Sequence, residues 1–132
     1  MSFNNDFENT IKSLITNPSE GQVEHNVVTP ILFALGYTEI LNKVSIRVKS
    51  GSKNYETLQA DIIAKGVNLP TLVVEAKSPD RGLTLPDDYN QGISYCFSPD
   101  VKTRFLFLTS GYSNRLYEAD KLLFEFDLKT LF

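Results

Sequence analysis

The sequence contains few of the residues on which several common kinds of functional site depend. Its 132 residues include one cysteine, Cys96, and one histidine, His25. A single cysteine excludes an intramolecular disulfide framework and a thiolate zinc cluster, and it fits a reducing compartment. No apolar run approaches the roughly 20 residues that span a bilayer, and the first residues lack a secretory signal. We therefore expect a cytoplasmic protein with no membrane partner.

The sequence also lacks a strong charge of either sign. It has 13 basic and 16 acidic residues and a formal net charge of −3, so overall charge does not indicate a nucleic-acid-binding protein. Binding to a polyanion would need a local basic patch or metal ions. A hydrophobic fraction of 42% is typical of a globular chain. We expect one domain over residues 1–132, either complete or the N-terminal part of a longer chain.

Hydrophobic periodicity predicts an α/β fold with a central mixed β-sheet flanked by helices. Helical spacing covers residues 3–16 and 19–36. Pro30 predicts a kink, or a helix that is really two pieces, and Gly36 marks the C terminus. A third helix is predicted over residues 86–97. Period-two alternation and apolar runs predict strands over residues 44–49, 59–64, 71–76, 104–109, 115–118 and 122–127.

Three charged residues interrupt the apolar strands. Asp61 lies within the second predicted strand, Glu75 lies near the end of the third, and Lys77 follows Glu75 by two residues. Residues i and i+2 of a strand share one face, so Glu75 and Lys77 point the same way. Short turns make the two strands neighbours, and Asp61 can then face Glu75. Two carboxylates suit a hard divalent ion such as Mg²⁺, and a lysine beside them can orient a water molecule.

These residues follow the pattern D-x13-E-x-K, which resembles the PD-(D/E)XK nuclease superfamily, although Ala60 replaces the proline of that name. Gln91 and Tyr95 add the Q-x-x-x-Y pattern of type I restriction and RecB-like nucleases. Glu24 opens the stretch E-H-N-V-V-T-P-I-L-F-A-L-G-Y, and F-L-T-S-G follows later in the chain. In this order, residues 20–112 resemble the N-terminal nuclease domain of the type I restriction R subunit.

The resemblance implies a restriction-endonuclease-like fold and Mg²⁺-dependent hydrolysis of phosphodiester bonds in double-stranded DNA. Asp61 and Glu75, with the Ala76 carbonyl, would hold Mg²⁺, for which Mn²⁺ is a substitute. It further implies methyltransferase and specificity subunits of a restriction-modification complex as partners. The motor domains of the full R subunit are missing, and the sequence has no G-x-x-x-x-G-K-[ST] phosphate loop.

The other catalytic roles are also implied by the resemblance. Lys77 would position the attacking water. Glu24 would make an outer-shell or second-metal contact, unless it is only a partner of the helix dipole. Gln91 and Tyr95, one helical turn apart, would orient the substrate backbone or support Lys77.

A run of basic residues suggests where DNA phosphates would bind. Lys43, Arg47, Lys49 and Lys53 fall within eleven residues that contain no acid, and Arg81 follows the lysine of the motif. We interpret them as phosphate contacts flanking the site, with an ordinary solvated strand face as the alternative.

Two other functions remain open at this point. The three charged residues could form a structural ion-pair cluster in a catalytically silent module that uses the same fold to bind DNA or assemble with partner subunits. A small-molecule hydrolase is disfavoured, because the sequence has no G-x-S-x-G elbow, Gly-rich phosphate loop or pair of histidines.

Overall fold

The computed structural model describes residues 23–51, 53–79 and 81–127, which form one six-stranded mixed sheet with helical segments beside it. The predicted helix over 3–16 and the C-terminal residues 128–132 lie outside this range. None of the described helices is both long and apolar enough to cross a bilayer. The elements are a π-helical segment (Val23–Val28), α1 (Thr29–Ala34), β1 (Glu39–Lys49), β2 (Tyr55–Gly66), β3 (Leu69–Ala76), α2 (Asp87–Cys96), β4 (Phe105–Thr109), β5 (Ser113–Glu118) and β6 (Lys121–Asp127).

The helix that precedes the sheet is divided in two, as predicted. The π-helical segment runs directly into α1, and Pro30 lies in the first turn of α1. Proline has no N–H to donate to the preceding turn, so the pattern of hydrogen bonds changes at this point. Gly36 follows with a φ of +100°, a conformation that glycine adopts without strain, and ends the helix.

The strands lie in the sheet in chain order, from β1 to β6. Neighbouring strands are antiparallel except for β3 and β4, which are parallel and connected by α2. A parallel pair needs such a crossover, and its carboxyl ends lie at one edge of the sheet. In open α/β sheets this edge is where ligands usually bind.

The hairpin of β1 and β2 is longer than the sequence predicted. β1 starts at Glu39 rather than at 44, and β2 extends beyond the predicted strand at both ends. Its apolar side chains change sides along the way. Ile40 and Ile62 belong to the core next to α1, whereas Val44 and Ala60 belong to the core next to α2. Because the alternation changes phase here, a period-two pattern finds only part of each strand.

Two hydrophobic cores hold the layers together. Leu32 of α1 packs with Val74 of β3 on one face of the sheet. Cys96 of α2 packs with Val73 and Leu108 on the other face. Since successive strand residues face opposite sides, Glu75 shares the α2 face with Val73. The predicted acids therefore lie between the sheet and α2.

Candidate active site

The two predicted acids face each other across β2 and β3. The pairing of Ile62 with Val74 sets the register that brings Asp61 opposite Glu75. Asp61 Oδ2 accepts a hydrogen bond of 2.8 Å from the Ala76 N–H, and Glu75 Oε1 accepts one of 3.3 Å from the Asp61 N–H. Both residues are buried. Each carboxylate is therefore held in place by the backbone of the opposite strand.

Lys77 connects this pair of acids to helix α2. Its Nζ lies 3.8 Å from Glu75 Oε2 and donates a 3.1 Å hydrogen bond to Gln91 Oε1. Gln91 Nε2 donates in turn to the Tyr95 hydroxyl at 3.1 Å. Residues four apart on a helix lie on one face, which explains why α2 presents Gln91 and Tyr95 together. The structure thus brings together all five of these predicted residues.

Tyr95 is the buried end of this chain of contacts. Burial raises the pKa of its hydroxyl above the ordinary value, and the negative charges of Glu75 and Asp61 raise it as well. The hydrogen bond from Gln91 acts in the opposite direction but does not reverse the shift. The hydroxyl therefore stays protonated at neutral pH and serves as a neutral, fixed partner of Gln91.

Lys43 lies beside the pair of acids Asp61 and Glu75, a position that the sequence did not predict. It lies in β1 opposite Asp61, and its Nζ is 3.4 Å from Asp61 Oδ1. Its backbone has a φ of +54°, which is uncommon for a residue with a side chain. The β1–β2 register would have revealed this neighbour, but the change of phase at Lys43 hides that register in the sequence.

The other three basic residues of the predicted phosphate strip, which runs from Lys43 to Lys53, differ in their surroundings. The Arg47 guanidinium binds both carboxylate oxygens of Asp100, with its shortest contact at 2.8 Å. Lys49 and Lys53 are exposed. The strip therefore contains two exposed lysines, one arginine paired with an acid and one lysine beside Asp61, and its role in DNA binding stays a prediction.

Arg81 also has an acidic partner, which the sequence did not indicate. Its two terminal nitrogens each donate a 2.8 Å hydrogen bond to Asp88, and Asp88 also accepts one of 2.7 Å from the Thr84 N–H. Burial alone would raise the pKa of the Asp88 carboxyl, but the hydrogen bonds from Arg81 and Thr84 and the nearby positive charges lower it overall. Asp88 thus ties the loop after Lys77 to the start of α2.

Glu24 and Ala76 are the remaining residues of the predicted site. Glu24 lies in the π-helical segment, and its side chain is outside the described part of the structure. Ala76 ends β3 and donates its N–H to Asp61, so its main chain adjoins the acids. Their roles stay predictions.

The donor set fits a hard divalent cation. Asp61 and Glu75 supply carboxylate oxygens from adjacent strands, and oxygen ligands are those that Mg²⁺ prefers. Within residues 23–51, 53–79 and 81–127, no group of three or more His, Cys, Asp and Glu side chains could hold a metal. Among the described residues, the ligands within reach of an ion at this position are the two acids and the main chain.

Two solved structures are similar to this chain. A fragment of an HsdR subunit of a type I restriction enzyme from Vibrio vulnificus YJ016 has a TM-score of 0.55 and 22% identity, over 76% of this chain. The fold is restriction-enzyme-like. The DrdV–DNA complex, determined by electron cryomicroscopy, has a TM-score of 0.66 and 12% identity, over 97% of this chain. Both similarities agree with the predicted α/β fold class, a mixed sheet flanked by helices.

The chain spans only part of either similar protein, 21% of the first and 12% of the second. Comparison with protein-family models and with curated proteins gave no match.

Proposed function

We propose that the chain is a Mg²⁺-dependent DNA endonuclease domain of the PD-(D/E)XK type, like the N-terminal nuclease domain of type I restriction R subunits. One observation carries the proposal. Asp61, Glu75 and Lys77 meet on one face of the sheet, and Lys77 is connected to Gln91 on the helix that follows the motif. Two adjacent buried acids are costly for stability alone, and this favours a functional site over a structural ion-pair cluster.

Asp61 and Glu75, with the Ala76 carbonyl, are the residues that would hold Mg²⁺ or its substitute Mn²⁺. When bound, the ion supplies positive charge that polarises the phosphate and stabilises the charge that develops during hydrolysis. The Ala76 N–H keeps Asp61 oriented through a 2.8 Å hydrogen bond. The Asp61 N–H does the same for Glu75.

Lys77 would hold the attacking water and favour its deprotonation through the positive charge of the ammonium group. Its side chain is 15% exposed, so the ammonium group still has access to solvent. Gln91 and Tyr95 are positioning residues in this proposal, because they act on the substrate through Lys77. Glu24 would add an outer-shell contact.

The substrate would be double-stranded DNA, bound at its phosphates by Lys43, Lys49 and Lys53 together with Arg47 and Arg81. A domain with a net charge of −3 binds DNA weakly by itself. We therefore propose that methyltransferase and specificity subunits of a restriction-modification complex hold the DNA, and that the protein acts in the cytoplasm.

A cleavage assay tests this proposal. The full chain at high concentration and low salt, which offset weak binding, should cut supercoiled DNA with Mg²⁺ or Mn²⁺ and not with EDTA. Asp61→Ala should abolish both cleavage and metal binding. A wild-type chain that binds neither metal nor DNA would contradict the proposal. Metal-independent DNA binding without cleavage would favour the silent binding module.

A further inference from the structure

We propose that Lys43 is an internal cation of the candidate site and that its ammonium group competes with a divalent metal ion for Asp61. The inference rests on the proposed function, which it extends by naming what a metal ion must displace. Lys43 would then control how readily the site is loaded with metal.

The contacts of Asp61 are the first support. One of its oxygens, Oδ2, accepts a hydrogen bond from the Ala76 N–H at 2.8 Å. The other, Oδ1, is 3.4 Å from the ammonium group of Lys43. Each oxygen therefore already has a partner. The partner of Oδ2 is a backbone N–H of β3, which stays in place, whereas the partner of Oδ1 is a side chain that can move. A metal ion that binds Asp61 through Oδ1 therefore competes with the ammonium group of Lys43 for that oxygen.

The charge balance of the cluster is the second support. Asp61 and Glu75 carry two negative charges, and Lys43 and Lys77 bring two positive charges within 4 Å of them. The four side chains therefore have a formal charge of zero. Two buried carboxylates on adjacent strands would repel each other without such compensation. The two lysines supply this compensation, but they also reduce the negative potential that attracts a divalent ion.

The backbone of β1 is the third support, because it fixes where Lys43 lies. Ile40 packs next to α1 and Val44 next to α2, so the strand changes sides between them. Lys43 has a φ of +54° at this change, a conformation that favours glycine. Lys43 combines this uncommon φ with an ammonium group beside Asp61, a predicted metal ligand.

The exposure of the two side chains explains how the exchange can take place. The Lys43 side chain is 49% exposed, whereas that of Asp61 is 11% exposed. A displaced ammonium group can therefore turn into solvent, where it is hydrated, and no unpaired charge is left buried. Lys77 is more enclosed and is held by Gln91, so Lys43 is the lysine that can exchange.

The test is a calorimetric titration of the full-length chain with Mn²⁺ alone, without DNA. Lys43→Met should bind Mn²⁺ up to about fivefold more tightly than the wild type, because a half-exposed ion pair no longer opposes the metal. Lys43→Arg keeps the positive charge and should bind as the wild type does. Lys65→Met removes an exposed lysine from the same hairpin and is the matched control.

Lys43→Gly provides a second variant that tolerates the positive φ, and its circular dichroism spectrum should match that of the wild type. It should show the same gain in Mn²⁺ affinity as Lys43→Met. The inference would be overturned if Lys43→Met and Lys43→Gly bound Mn²⁺ with the same affinity as the wild type and Lys65→Met. The proposed function would still stand in that case if the wild type bound Mn²⁺ and Asp61→Ala did not. Failure of every variant to bind Mn²⁺ would overturn both.

Discussion

The ion pair of Arg81 with the buried Asp88 offers a test of how the site is held together. Asp88→Asn removes one charge and leaves the size of the side chain unchanged. In the wild type the Asp88 side chain is 3% exposed and receives two hydrogen bonds from Arg81 and one from the Thr84 N–H. Removing one partner of a fully buried pair costs about 3–5 kcal/mol. Arg81 is 43% exposed and can turn to water, so we expect a loss of about 2 kcal/mol.

Urea unfolding followed by circular dichroism at pH 7 measures this loss. A thermal melt of the same two proteins should show a fall in melting temperature of about 8 °C, at about 4 °C per kcal/mol for a domain of this size. Glu118→Gln is the control, because its partner Arg104 is 69% exposed and 3.8 Å away. It should change the free energy of unfolding by no more than about 0.5 kcal/mol.

The pH dependence of the same experiment checks its physical cause. The pKa of Asp88 is lowered in the folded protein, because the contacts with Arg81 and Thr84 outweigh the effect of burial. Its contribution to stability is therefore present above the unfolded pKa of about 3.9 and is lost as the pH falls through the folded value. The difference between wild type and Asp88→Asn should be full at pH 7 and shrink below about pH 4. A difference of the same size at pH 3 would refute the reasoning, as would an Asp88→Asn variant as stable as the wild type at pH 7.

Two further predictions concern helix α2. Gln91→Ala removes the acceptor that holds Lys77, so kcat for DNA cleavage should fall roughly tenfold to hundredfold while KM and Mn²⁺ affinity stay unchanged. Gln91→Glu keeps an acceptor and should restore part of kcat. A rise in KM with kcat intact would instead place Gln91 on the DNA. Burial raises the pKa of the Cys96 thiol to about 12, so iodoacetamide at pH 8 should label it only after unfolding; equal labelling rates with and without urea would contradict this.

The part of the site built on regular strands could be predicted from the sequence. Glu75 lies in β3 and Lys77 directly follows the strand, and their spacing of two residues predicts that they share one face. Asp61 lies in the preceding strand, and the short turn between β2 and β3 makes the two strands antiparallel neighbours. Local geometry is enough for such a prediction, because both the pleat and the turn act over a few residues.

The part that depends on irregular backbone could not be predicted. The positive φ of Lys43 shifts the phase of β1, and nothing in a lysine side chain indicates that conformation in advance. The contact between Arg81 and Asp88 closes a loop whose course is set by packing against the sheet rather than by a repeating pattern. The pairing of Arg47 with Asp100 joins residues 53 positions apart. Three basic residues of the predicted phosphate contacts therefore have acidic partners that only the folded chain reveals.

DNA cleavage by Lys77→Ala, measured together with a Mn²⁺ titration of the same protein, separates the role of the lysine from that of the two acids. Lysine is not a metal ligand here, and its ammonium group lies beside Glu75. We predict that Lys77→Ala loses cleavage. It should bind Mn²⁺ as tightly as the wild type or slightly more tightly, because a positive charge beside the acids has been removed. Cleavage by Lys77→Ala at the wild-type rate would contradict the chemistry proposed for Asp61, Glu75 and Lys77.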